Sequence, residues 1–275
     1  MKKVIALLFG VLLLSAATAT AQLREIYTIR DIEVEESASS VIQAQQAAFT
    51  SARIKGAYRL VERLTLPEDR AGKFTSASID AGTANKLAVA VDVEEEERGG
   101  GKYVGKLAVV YNPNMVRDFL DRRGIPNLDQ TAPKSVIFPV SGDSGSYAWN
   151  SAWPDRSNGQ LAPFETSRGA SATPGSGWDA MQGAVSAADA RRAIKAELLG
   201  SAGSFRVRLT SVTGAGETEL GTTGGASTLE EAAQQAADYL DLVWKKQAIV
   251  RSDERTDVEA TVLFTSLPEW NSLRS

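Results

Sequence analysis

The chain has 275 residues, with 30 Lys and Arg against 34 Asp and Glu for a formal charge of −4, and it contains neither His nor Cys. Without His, Ser-His-Asp and Cys-His catalysis, an imidazole base and the usual zinc sites are excluded; without Cys, so is a disulfide framework. The acidic balance argues against nucleic acid as a partner, because that affinity is built on clustered Lys and Arg.

The first residues read as an export signal. Lys2 and Lys3 precede an apolar run over 4–14, and Ala19-Thr20-Ala21 supplies the A-x-A form that precedes cleavage. Residues 1–21 are therefore expected to be a signal peptide cut between Ala21 and Gln22, which places the mature protein in the periplasm. Loss of Lys2 and Lys3 moves the formal charge from −4 to −6. The apolar run is shorter than the roughly 20 residues of a membrane span. Membrane contact is expected only if the signal stays uncleaved, and with no Cys after the run no lipid can be attached there.

Residues 26–35 alternate as a strand with one slip at Arg30-Asp31, where a bulge is expected. Ser37, Ser39 and Ser40 offer N-caps for an amphipathic helix over 41–64, whose Ala-rich face suggests close packing on a sheet and which ends before Pro67. Residues 88–94 and 103–111 read as a hairpin, with Glu94–Glu97 and Gly99-Gly100-Gly101 as its exposed turn. Asn112 or Asn114 caps a short helix over 115–123 with Val116, Phe119 and Leu120 inward, and Gly124 and Pro126 stop it. After a connector over 127–133, residues 135–140 form a strand. An irregular Trp/Gly/Ser-rich insertion follows over 141–178, then a helix over 179–199. Residues 205–209 and 217–220 are paired strands, and Thr228 with Glu231 forms a capping box for a helix running to about Val250. The chain closes with a strand over 257–264 and a cap at Ser266.

The end of the chain echoes its beginning. Both long helices carry an Ala-Gln-rich run, and in both halves a strand leads to a cap followed four and seven residues later by apolar side chains: Asn112, Val116 and Phe119 against Ser266, Trp270 and Leu273. The fold class expected is α/β (α+β). It comprises two related strand-helix-strand-strand-helix units, 22–132 and 133–275, with mixed or antiparallel sheets packed by long Ala-rich helices. Two ordinary amphipathic helices of similar composition would produce the same echo.

The runs Ile26-Tyr27 through Val34, Ala47-Ala48-Phe49, and Gly56-Ala57-Tyr58-Arg59-Leu60-Val61-Glu62-Arg63-Leu64-Thr65 resemble the start of an uncharacterised proteobacterial envelope family. It is catalogued as domain of unknown function two-zero-six-six. Leu107-Ala108-Val109-Val110-Tyr111-Asn112-Pro113, with Val116, Leu120 and Gly124-Ile125-Pro126, is similar to its next landmark, and Trp149, Trp153, Leu161-Ala162-Pro163 and Asp179 to its looser middle region. The sequence departs from the pattern after Leu64-Thr65, where a Gly is usual, and by ending early. The resemblance implies an exported α/β protein without an established activity and transfers no catalytic residue.

Candidate sites are few. Glu94–Glu97 offers cation-ligating oxygens, but consecutive carboxylates on a strand end point to opposite faces, so a solvated turn is the preferred reading. Gly99-Gly100-Gly101-Lys102 lacks the spacing and the Ser or Thr of a phosphate loop and leads into a strand. Tyr147, Trp149, Trp153 and Arg156 are the binding candidates: aromatics with polar neighbours in a Gly/Ser-rich loop suit recognition surfaces, although rings plugging a small core are the preferred alternative. Asp155, Glu165 and Asp179 are the acids in the same region, with no spacing that selects them for glycoside hydrolysis. No cofactor and no metal are expected. The leading function is a non-enzymatic envelope accessory or interaction protein whose partner is another envelope component. The alternative is a carboxylate-dependent hydrolase acting on envelope glycan or peptide.

Overall fold

The structure, a computed structural model, describes residues 23–141 and 146–249. The segments expected to be the signal peptide (1–21) and the closing strand and cap (257–266) lie outside the described residues.

Strand β1 (Thr28–Ser37) pairs antiparallel with β3 (Lys102–Tyr111), which pairs antiparallel with β2 (Ala88–Gly99) in the order β1-β3-β2. The expected bulge is present: the β1–β3 register shifts between Ile29 and Ile32, and Asp31 has φ 54°. Side chains alternate along a strand, so without the extra residue Ile29 and Ile32 would face opposite ways. With it, Ile29, Ile32 and Val34 stand opposite Val109, Leu107 and Gly105, and all three are buried.

Helix α1 (Val41–Leu64) covers that face, and the Ser40 side chain accepts from Gln43 N at its start. Ala44, Ala48, Ala52 and Gly56 recur every fourth residue on its buried side, so the helix backbone sits close to the sheet. A Cβ at Gly56 would lie 2.4 Å from Tyr111 Oη, which donates to the carbonyl of Arg53 at 2.7 Å. After the turn α2 (Pro67–Arg70) comes α3 (Ala81–Leu87), capped by Asp80 through Thr83 N; the sequence reading assigned nothing to this stretch. Glu94–Glu97, expected to lie in the hairpin turn, instead continues β2, whose outer end stands in solvent. The turn is made by Gly100 and Gly101, both at positive φ. Helix α4 (Pro113–Asp121) starts at Asn112, which accepts from Asn114 N and Met115 N, and buries Val116, Phe119 and Leu120. Gly124, at φ 60°, ends it.

The second sheet has the order β5-β4-β6-β7-β8. Its strands are β4 (Ser135–Val140), β5 (Phe164–Thr166), β6 (Arg192–Leu199), β7 (Arg206–Thr213) and β8 (Gly216–Thr222). Strand β4 runs parallel to β5 and β6, and β6, β7 and β8 are antiparallel in succession. Helix α6 (Trp178–Ala187) packs Met181 and Val185 on one face with Val136, Phe138, Ala193 and Val212. The other face is covered by α5 (Ser146–Ala152) and α7 (Leu229–Ala248), the latter through Ala232, Ala233, Ala236 and Ala237. Thr228 caps α7 by accepting from Glu231 N, while Glu231 reaches back to Ser227 N at 2.7 Å, one residue earlier than a standard capping box.

The architecture is α+β with antiparallel and mixed sheets. The helix expected over 179–199 is corrected: it stops at Ala187, and 192–199 is strand β6. The segment Arg-Ala-Ile-Lys-Ala-Glu-Leu-Leu has strong helix formers, but it lies inside the sheet between β4 and β7, and Ala193 through Ala196 are all buried. Burial on both faces erases the alternation that would mark a strand. The two sheets also differ in strand number and direction, and the strand that would complete the echo lies outside the described residues.

Candidate functional site

The four aromatic-loop candidates separate. Trp149 and Trp153 are 0% and 1% exposed. Their rings meet edge to face at 5.5 Å between centroids, and Trp153 meets Phe164 the same way at 5.9 Å. Trp149 Nε1 donates to the carbonyl of Ala196 on β6 at 2.9 Å. These rings fill the core under α5, the alternative preferred from the sequence, and offer no face to a ligand, so the binding role considered for both does not fit their placement. The gain from burying two indoles against β4 and β6 exceeds that of leaving them in a Gly/Ser-rich loop. Tyr147 is 84% exposed on the opposite side of α5, and Arg156 is exposed beside β5. The four do not form one surface.

Two of the three acids of the same region are ion-paired. Asp155 pairs with Arg168 at 2.9 Å, and Arg168 also donates to Trp153 O and to Asn150 Oδ1, drawing the end of α5 against β5. Glu165 pairs with Lys134 at 2.6 Å. Asp179 lies in the first turn of α6, where the helix dipole favours it. Glu95 and Glu96 on β2 pair with Lys106 and Arg98.

The structure instead builds a site at the seam of the two sheets. The C-terminal half of α7 leans on the end of α1: Lys245 Nζ donates to the carbonyls of Glu62 and Thr65 at 3.0 and 3.4 Å, and Trp244 Nε1 donates to Gln130 O. Asp241, one turn before Lys245, pairs with it at 2.9 Å and accepts from the backbone N–H groups of Leu161 and Ala162. Both side chains are about nine-tenths buried. One ion pair on α7 thus ties the end of α1 and the 158–162 loop together.

Above this pin lies a solvent-open cleft of about 630 Å³, lined among others by Arg59, Arg63, Arg70, Gly159, Gln160 and Asp238. Arg63 donates through Nη1 to the carbonyls of Ile26 and Thr28 at 2.8 and 2.9 Å. Desolvation, and then the charge of Arg59, pulls its guanidinium down to about 10. Gly159 holds φ 78°, and a Cβ there would fall 2.3 Å from Arg63 Nη2, so only Gly lets the loop lie on the guanidinium. Desolvation raises Asp238 above its ordinary value. Sequence reasoning missed all of these residues. The available signals were Asp241 and Lys245 at i, i+4 on one helix, and Arg59 and Arg63 at the same spacing with like charge.

Among the described residues no helix is long and apolar enough to cross a membrane, and no group of three or more acidic side chains is placed to hold a metal ion. No known protein family and no curated protein matches the chain. Among solved structures it is similar to TolB from Acinetobacter baumannii at 20% identity and a TM-score of 0.27, over 42% of this chain and 29% of that one. A likeness of that size shows neither a shared fold nor a shared function.

Proposed function

We propose that this chain is an exported, periplasmic accessory protein that works by binding another envelope component rather than by catalysis. The observation that carries the preference over a hydrolase is the engagement of the candidate acids. Asp155 and Glu165 are each neutralised by a basic partner, and Asp241, beneath the cleft, is bound to Lys245 and two backbone amides. A glycosidase needs two carboxyl groups at a fixed separation, one of them free to give up a proton. Kinship with domain of unknown function two-zero-six-six is part of the proposal. Its landmarks fall on β1, α1, β3 and the Asn112 cap of α4, which the fold assembles around one core.

The contact surfaces we assign are Tyr147 on α5 and the free edge of β2, where Val89 and Val93 are 65% and 42% exposed. An unpaired strand edge with apolar side chains is suited to receiving a partner segment. The test has two arms. N-terminal sequencing of the protein from a periplasmic fraction should begin at Gln22; retention in the cytoplasm would end the export reading. A photocrosslinker placed in turn at Tyr147, Val89 and Val93 in living cells should yield one discrete adduct with an envelope protein. Hydrolysis of envelope glycan or peptide by the purified protein, lost on Asp155→Asn or Glu165→Gln, would restore the enzyme reading.

A further inference from the structure

Arg59 and Arg63 lie one turn apart on α1, a like-charge spacing that weakens a helix, and Arg70 lines the same cleft. All three guanidinium groups are anchored to backbone by the same atom. Arg59 Nη1 donates to Asp31 O at 3.1 Å, Arg63 Nη1 to Ile26 O and Thr28 O, and Arg70 Nη1 to Thr65 O and Oγ1, both at 3.1 Å. Among the described residues, neither Nε nor Nη2 of any of the three donates a hydrogen bond to protein, and none of the three has an ion-pair partner within 4.0 Å.

From this geometry we infer that the cleft is a binding site for an oxyanion, a carboxylate or phosphate group on a small ligand or a peptide end. Guanidinium groups present their donors in a planar fork that matches such groups. Backbone anchoring removes much of the side-chain entropy that binding would otherwise lose. Lys245 is paired with Asp241, which leaves three guanidinium charges against the carboxylates of Glu62 and Asp238 in the lining. The cleft volume is within the roughly 300–1,000 Å³ of small-ligand sites, and Asn158 adds a neutral polar side chain to the lining. The Asp241–Lys245 pin, holding the 161–162 backbone and the end of α1, keeps the two in register.

The test is a titration of the full mature chain, labelled with ¹⁵N, using sodium phosphate and sodium acetate separately at constant ionic strength, with sodium chloride as the reference. Saturable shifts at the amides of Gly159, Gln160 and Leu161 and at Arg Nε–H are expected with at least one of the two oxyanions. Acetate alone would assign a carboxylate ligand, and phosphate alone a phosphate ligand. The variant Arg59→Gln/Arg70→Gln, which leaves the half-buried Arg63 in place, should weaken the binding about tenfold or more. Shifts no larger than those with chloride, or saturable binding that survives in the double variant with its fold intact, would overturn the inference. Either result leaves the crosslinking test of an envelope partner unaffected.

Discussion

Lys245 Nζ sits 2.9 Å from Asp241 Oδ2 in a contact about nine-tenths removed from water, and between them the two side chains hold the carbonyls of Glu62 and Thr65 and the amides of Leu161 and Ala162. A buried pair adds little beyond what an apolar pair of similar volume would provide, but removing one partner leaves an uncompensated charge. Asp241→Asn should therefore lower stability by about 3 kcal/mol, and Asp241→Asn with Lys245→Gln together, which removes both charges but keeps polar groups facing the 161–162 amides and the Glu62 and Thr65 carbonyls, should lower it by less. Urea denaturation of the three proteins measures this; equal losses in single and double variants would mean that the pair does not act as a unit.

The two buried indoles make a paired prediction. Trp149 Nε1 is bonded to Ala196 O, whereas Trp153 Nε1 is buried without an acceptor among the described residues. Both Trp→Phe changes shrink the ring, but only Trp149→Phe breaks a hydrogen bond, and Trp153→Phe removes a donor already desolvated without return. Trp149→Phe should be the more destabilising by about 1 kcal/mol. Equal unfolding midpoints, or the reverse order, would contradict this placement of the rings.

Much of the first sheet is legible before any coordinates. The slip at Arg30-Asp31, the caps Ser40 and Asn112, and the four-residue recurrence of small residues in 41–64 each reflect local physics, and each reappears as a bulge, two N-caps and a close helix-to-sheet contact. Segment 192–199 was not legible, because helix-forming residues buried on both sides carry no strand period. Glu94–Glu97 was misread for the opposite reason: a strand end standing in solvent can be as polar as a turn. The cleft was least legible of all. Arg63, Gly159 and Asp241 belong to distant stretches of chain, and only the leaning of α7 on α1 makes them neighbours.

Gly56 and Tyr111 provide a test of the helix-to-sheet spacing. A Cβ at Gly56 meets Tyr111 Oη at 2.4 Å and Ile32 Cδ1 at 2.8 Å, and Tyr111 cannot swing aside without losing its bond to Arg53 O. Gly56→Ala is expected to destabilise by about 1–3 kcal/mol despite the better helix propensity of Ala. In the Tyr111→Phe background the same change should be milder, since the clashing oxygen is gone. A double-mutant cycle by chemical denaturation gives the coupling, and additive effects would show that the helix does not lie this close.

High pH should unfold the protein through its buried tyrosines. Tyr27 and Tyr111 are 0% and 1% exposed, and burial is the first cause pushing both hydroxyls well above the ordinary 10.0, reinforced at Tyr27 by the negative charge of Asp129. In the unfolded chain both titrate near 10, so above that pH the unfolded state binds fewer protons than the native state and stability falls as pH rises. Arg63, drawn down to about 10, acts in the opposite sense because the native state then releases its proton first. Arg192, lowered by burial, acts with Arg63, and Tyr103, raised by burial, acts with the other two tyrosines, which leaves three phenols against two guanidinium groups. The free energy of unfolding should decline from about pH 10 upward, and Tyr27→Phe with Tyr111→Phe should flatten the decline. Denaturant titrations at a series of alkaline pH values measure both slopes, and an unchanged slope in the double variant would assign the alkaline loss to other groups.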